Sequence, residues 1–359
     1  MSGSAAGAAV AASPGPGPAG AAAGRGPGGR GRGRRASAAL ARNGRLIAVA
    51  AAAFLLTAAP MLRFYVAGEL ERIPARIDLT MRLSDDSAAY LDTGTWETVR
   101  DTEVERTTRV EGGFAPGNPD WTTWGVSTST AARGTTLSHS HRRVVVDRDT
   151  GTAVNCCGEH VDGDRAVRQA GLVLLWPAGG GWREYPFYDA DIRAAPPMVL
   201  DDRDRVGGLA VRRYVQRFDA TQLPDSSRPV PARALGLEEP GTVQANRWLE
   251  LERTYWVEPV TGRVVDAREV RRETLRPENG GGSRVLLDAD LRMAGELVQA
   301  RVREVEELRT LLEAVRTWLP TGLGAAGGLL CLAAAVRELR ARRAAPTAEG
   351  GGEVDLKLD

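Results

Sequence analysis

All three histidines and two of the three cysteines fall in one short stretch of the chain. His139 and His141 flank Ser140, and Cys156-Cys157-Gly158-Glu159-His160 follows shortly after. Imidazole nitrogens and thiolates are the ligands that hold zinc or copper. His139, His141, Cys156, Cys157 and His160 are therefore the candidate metal ligands. Their spacing matches no common zinc pattern, because adjacent cysteines seldom give two bonds to one tetrahedral ion. A vicinal disulfide is the competing use of the pair. Cys331 sits alone in an apolar run, so three cysteines define no disulfide framework.

Other catalytic signatures are missing from the sequence. There is no Gly-x-Ser-x-Gly elbow and no Gly-rich phosphate loop ending in Lys-Ser/Thr. Ser138-His139-Ser140 puts hydroxyls beside an imidazole, but adjacency in sequence does not make a triad. Asp189, Asp191, Asp201 and Asp202 read as solvated loop charges. A non-enzymatic protein without a cofactor is expected. Trp121, Trp124, Trp176, Trp182, Tyr185, Phe187 and Tyr188 are interleaved with Gly and Pro. Aromatics in that setting either line a groove for an acyl chain or a sugar or form the core of a β domain.

These residues must be held by the elements between two apolar runs. Leu46–Leu62 is uncharged, bounded by Arg45 and Arg63, and extended by Phe64, Tyr65 and Val66. Thr317–Val336 is also uncharged and begins at Trp318. Each is long enough to span a bilayer as a helix, and aromatic side chains favour the interface. The competing reading of the first run is a cleaved signal peptide cut after Ala58-Ala59. Its length and the second run at the far end favour an uncleaved anchor. Arg25, Arg30, Arg32, Arg34 and Arg35 precede the first run, and Arg337, Arg340, Arg342 and Arg343 follow the second. The positive-inside rule puts both ends in the cytoplasm, giving a two-span plasma-membrane protein in contact with membrane lipids. Gly324 and Gly328 permit close helix approach, so a homo-oligomer is among the partner classes. The balance of 47 basic and 46 acidic residues argues against nucleic acid.

Residues 1–44 are Ala, Gly, Pro, Ser and Arg and read as a disordered cytoplasmic tail. A transmembrane helix over 45–67 follows. Residues 68–290 carry strand-like alternation, as in Leu209–Phe218, with turn compositions at Asp147–Gly151 and Glu258–Gly262. Leu291, Ala294, Val298, Val302, Val305, Leu308, Leu312 and Val315 then recur at helical spacing, predicting an amphipathic helix over 291–316. The second span occupies 317–336 and a cytoplasmic tail 337–359. The expected fold is a β-rich extracytoplasmic α+β domain of many short antiparallel strands between two transmembrane helices. Trp176, Trp182, Tyr185, Phe187 and Tyr188, flanked by Leu308 and Leu312, are the candidate apolar ligand groove.

Residues 171–198 (GLVLLWPAGGGWREYPFYDADIRAAPPM), Gly208-Leu209 before a Tyr-containing strand, and 255–269 (YWVEPVTGRVVDARE) together resemble an actinobacterial two-span membrane family, the porin PorA family. The resemblance spans roughly 46–340 and implies a span, a long outer domain, a helix and a second span. Its name implies a channel. The residues themselves favour an envelope protein whose outer domain binds a lipid, glycan or protein partner. An oligomeric porin-like channel is the alternative, and a metal-dependent envelope enzyme the second.

Overall fold

The computed structural model of the chain describes residues 30–115, 117–181, 184–238, 240–278 and 280–344. Helix α1 (Arg30–Pro60) passes through a π-helical turn (Met61–Val66) into α2 (Ala67–Glu71). At the other end α3 (Gly295–Glu313) continues through a second π-helical turn (Ala314–Trp318) into α4 (Leu319–Ala344). The amphipathic helix and the second apolar run are thus one uninterrupted helix. Helix α1 includes residues 30–44 of the stretch expected to be disordered, where Ala and Arg carry little helical penalty. Only 11% of the apolar window in each long helix is buried. Leu46, Ile47, Phe54, Phe64, Leu329 and Leu332 stay exposed. The core helix of a soluble domain would bury such side chains, whereas a lipid-facing helix would not.

Contacts divide the chain into two units, Met1–Ala53 with Leu329–Asp359, and Phe54–Gly328. The first contains, among the described residues, the start of α1 and the end of α4. The second contains the sheet and the sheet-proximal ends of both helices. Within it, Arg63 Nη1 donates to the Arg316 carbonyl oxygen at 2.6 Å, and Arg316 pairs with Glu71 at 3.2 Å. Arg72 pairs with Asp120 and Asp149, each at 2.6 Å, and Ile73 N donates to Arg148 O at 2.7 Å. The first helix is therefore docked onto the sheet through its last turn rather than hung on a linker.

The sheet comprises β1 (Ile77–Asp92), β2 (Glu97–Phe114), β3 (Trp121–Ala132), β4 (Thr135–Asp147), β5 (His160–Val161), β6 (Tyr185–Pro186), β7 (Pro197–Val206), β8 (Leu209–Gln222), β9 (Arg228–Pro231), β10 (Thr242–Val257), β11 (Val264–Pro277) and β12 (Arg284–Arg292). Their order is β5-β4-β3-β2-β1-β12-β11-β10-β8-β7-β6, with β9 beside β10. The chain enters at the centre on β1, meanders out to β5, crosses to β6 and meanders back to β12. The strands are long, up to 18 residues in β2, not the short strands expected. Their outer faces carry charges, such as Arg217 paired with Glu252 and Arg268 with Asp290, so water solvates a long exposed face. Register shifts mark bulges, as at Asp85–Ala88 in β1, and bulges let long strands bend.

Helix α3 starts at Gly295, not 291. Leu291 is fully buried on β12, and its alternation with Ala289 and Leu287 satisfies period two as well as it satisfied the helical pattern. The buried stripe of α3 is Val298, Val302, Val305 and Leu312. Val302 seats against the β7–β8 turn, where Gly207 at φ 55° leaves room and a Cβ would meet Val302 Cγ2 at 3.0 Å.

Candidate functional site

The core face of the sheet is roofed by the crossing segment between β4 and β6. Leu172–Trp176, an apolar run, forms no strand of its own and is buried at every residue. Its backbone bridges the two edges: Ala153 N donates to Gly171 O at 2.9 Å, and Tyr188 N donates to Leu172 O at 3.1 Å. Trp176 N donates to Gly262 O at 3.0 Å in the β10–β11 turn. Gly262 has φ 69°, and a Cβ there would strike the Trp176 carbonyl oxygen. Burial on both flanks explains why this run is apolar throughout instead of alternating.

Register fixes what lies beneath the roof. Met81 pairs with Thr108, Thr108 with Thr128, and Thr128 with Ser140, so three hydroxyls from adjacent strands line up on the core face. On one side the next row runs Leu79, Val110, Val126, Arg142. On the other it holds Leu83, Arg106 and Thr130. Across β12, β11 contributes Glu269, Arg271 and Glu273, and β10 contributes Arg253 opposite Glu269. The face is thus apolar near the helix-proximal ends of the strands and ionic further along.

The ionic part is a closed network. Arg271 pairs with Glu273 at 2.7 Å, Asp191 at 2.8 Å and Glu269 at 3.2 Å. Arg253 reaches Asp189 and Glu269, both at 3.0 Å, and donates to Gln216 Oε1 at 2.9 Å. Arg106 reaches Asp191 and Glu269, both at 3.3 Å, and Arg247 pairs with Glu273. Burial alone would raise the Glu269 carboxyl, but the guanidiniums of Arg253, Arg106 and Arg271 outweigh it and hold it down to about 2. Burial would lower Arg271, yet Asp191, Glu273 and Glu269 keep it well above its ordinary value. Arginine suits this role because its fork bonds several carboxylates at once and stays charged.

Two cavities adjoin on this face and share Met81 and Leu174 as walls. One, of about 60 Å³, is bounded by Arg106, Arg142, Arg253, Tyr188 and the hydroxyl row. The other, of about 30 Å³, is apolar and lies under α3 against Leu79, Leu175, Val264, Met293, Val305 and Leu308, with Arg301 and Glu304 at its rim.

Of the candidate groove residues, Trp176, Tyr185, Phe187 and Tyr188 are buried. Trp176 packs on Phe187 at 5.9 Å and Tyr214 at 5.3 Å between ring centroids. Trp176, Tyr185 and Phe187 belong to the packed core and not to an open groove, while Tyr188, with Phe187, bounds the cavity of about 60 Å³. Trp182 lies outside the described residues. Leu308 lines the apolar cavity, while Leu312 is buried further along the helix. Of the candidate metal ligands, Cys156 and Cys157 are disulfide-bonded to each other, which removes both thiolates. His141 and His160 stand 5.5 Å apart between ring centroids across β4 and β5. His139 is exposed two residues along β4. Among the described residues no three His, Cys, Asp or Glu side chains converge as a metal site. Sequence reasoning missed Arg106, Arg142, Arg253, Arg271, Glu269 and Glu273. Their one visible sign is a charge at every second position of Glu269-Val270-Arg271-Arg272-Glu273, which reads equally as a solvated strand face.

The family model described as Porin PorA matches residues 45–336. No curated protein matches the sequence.

Proposed function

The chain belongs to the porin PorA family, and from that premise we propose that it is a two-span membrane protein whose sheet domain binds an amphiphilic ligand on its core face. The observation that carries this reading is the pair of adjoining cavities. An apolar one lies under the helix that runs on into the second apolar segment, and an arginine-lined one lies directly beyond it. A molecule with an apolar tail and a polar head has the same order of chemistry. Both cavities are small as they stand, so occupancy requires Met81 to change rotamer and α3 to lift. Methionine is the side chain best suited to such a change.

A channel reading takes support from the family's name. A transmembrane barrel, however, needs an apolar outer band, and here the outer face carries ion pairs such as Arg217–Glu252 and Arg268–Asp290. The hydroxyls of Thr57 and Thr321 bond back to carbonyls of their own helices. They offer little to line an aqueous pore built from the helices.

Native mass spectrometry of the detergent-purified protein tests the binding reading. Wild-type protein is expected to carry lipid-sized adducts. Leu308→Gln, which wets the apolar cavity at a half-buried position, is expected to lose most of them while melting normally. Bare protein in every preparation, or equal adducts on the variant, would count against it.

A further inference from the structure

Of the three arginines that bound the cavity of about 60 Å³, Arg106, Arg142 and Arg253, Arg142 is the one that the ionic network does not use. Arg106, Arg247, Arg253 and Arg271 pair among Asp189, Asp191, Glu269 and Glu273, four against four. Arg142 is buried on β4 at 7% exposure. Among the described residues no carboxylate lies within ion-pairing distance of it. Its protein contacts are neutral: Nη1 donates to Gln169 Oε1 at 3.1 Å, Nη2 donates to Val173 O at 3.4 Å, and the guanidinium lies 5.2 Å from the Tyr188 ring centre. Those two bonds use two of its five N–H groups. An uncompensated buried charge is costly, and no carboxylate of the network offsets this one.

A second observation points the same way. Tyr188 is 2% exposed, bounds the same cavity, and its hydroxyl has no hydrogen-bond partner. Burial pushes the phenol up to about 12, so it remains a donor at neutral pH. Burial draws Arg142 down to about 10, which still leaves it charged. Thr108, Thr128 and Ser140 add hydroxyls from the register row beside Arg142. The cavity's carboxylates, Asp189, Asp191 and Glu269, are already occupied by arginines. A volume of about 60 Å³ holds roughly four waters or one compact oxyanion.

We infer that Arg142 and Tyr188 form an anion site for a phosphate-, sulfate- or carboxylate-type group. The inference rests on the amphiphile reading only for the source of the anion, which is then the ligand's head group; a free oxyanion is the other source. The test uses the full chain in nonionic detergent. Binding is measured by thermal shift and titration calorimetry with inorganic phosphate at constant ionic strength, with phosphatidylglycerol in mixed micelles, and with uncharged diacylglycerol. Phosphate and phosphatidylglycerol are expected to bind. Arg142→Met and Tyr188→Phe should each weaken both by about tenfold or more, the loss of one charge-assisted or buried hydrogen bond, while leaving diacylglycerol unchanged. Tyr188→Phe removes only an unpartnered hydroxyl, so it reports even if Arg142→Met folds poorly. Phosphatidylglycerol binding that ignores both variants would overturn the anion site and leave the amphiphile reading standing. Phosphate binding lost in both variants, with no amphiphile bound, would uphold the site and remove that reading. Failure of every anion to bind would overturn the site.

Discussion

Arg271→Met is expected to destabilise the sheet domain by about 3–5 kcal/mol, the usual cost of breaking a buried ion pair from one side. Arg271 is fully buried and holds Asp191, Glu269 and Glu273 together. Methionine fills similar volume but removes the one cation shared by the buried Glu269 and Glu273 and the half-buried Asp191. For a domain of this size the melting point should fall by roughly 10 °C, measured by intrinsic tryptophan fluorescence in detergent. Arg217→Met on the outer face, whose partner Glu252 is also solvated, should melt like wild type within about 1 °C. Equal melting of Arg271→Met and wild type would mean the network carries no stability. The same network sets the acid limit. Glu269 sits at about 2 when folded against an ordinary 4.5. The unfolded chain therefore binds protons first on acidification, so this contribution is complete above pH 4.5 and is lost as the pH falls towards 2.

A reporter active only in the cytoplasm should work when fused after Asp359 and stay silent when inserted beside Gly281. The expectation follows from the arginines flanking the inner side of each apolar run, Arg25–Arg35 and Arg337–Arg343. Gly281 is the better insertion site because it lies in the β11–β12 connection, where glycines and not core side chains carry the turn. The effect is all or none, since a two-span chain keeps both ends on one side and everything between them on the other. Activity at Gly281 with silence after Asp359 would invert the proposed orientation, and activity at both sites would remove the second span.

The apolar helices and the strands with Arg or Glu at alternate positions were legible because each follows one clean period. Leu209–Phe218 and the Glu258–Gly262 turn fall where their patterns put them, in β8 and between β10 and β11. Leu291 and Ala294 were misread because a residue at a strand-to-helix junction satisfies both periods. The length of the strands was hidden because bulges, such as Asp85–Ala88, interrupt the alternation without ending the pairing. The site was the least legible part. Asp189 and Asp191 read as loop acids until the β6–β7 connection brings them against Arg253 and Arg271, and Arg142 looks like any surface arginine beside Arg143. Those contacts join β4, β10, β11, the crossing segment and the β6–β7 connection, which are far apart in sequence. The aromatics declared themselves as apolar mass, but only the roof over the sheet decides that they are packed core.

Photolabelling with a phospholipid carrying a diazirine near the end of its acyl chain, followed by peptide mass spectrometry, tests ligand binding on the core face most directly. Any span will label, so the decisive peptides are those bounding the apolar cavity: Leu79–Leu83 on β1, Leu172–Trp176 on the crossing segment, and Val298–Leu308 on α3. Adducts on these peptides, competed by unlabelled lipid and lost in Leu308→Gln, are the expected result. Labelling confined to residues 46–66 and 319–336 would contradict the proposal and return the sheet domain to a role in binding protein.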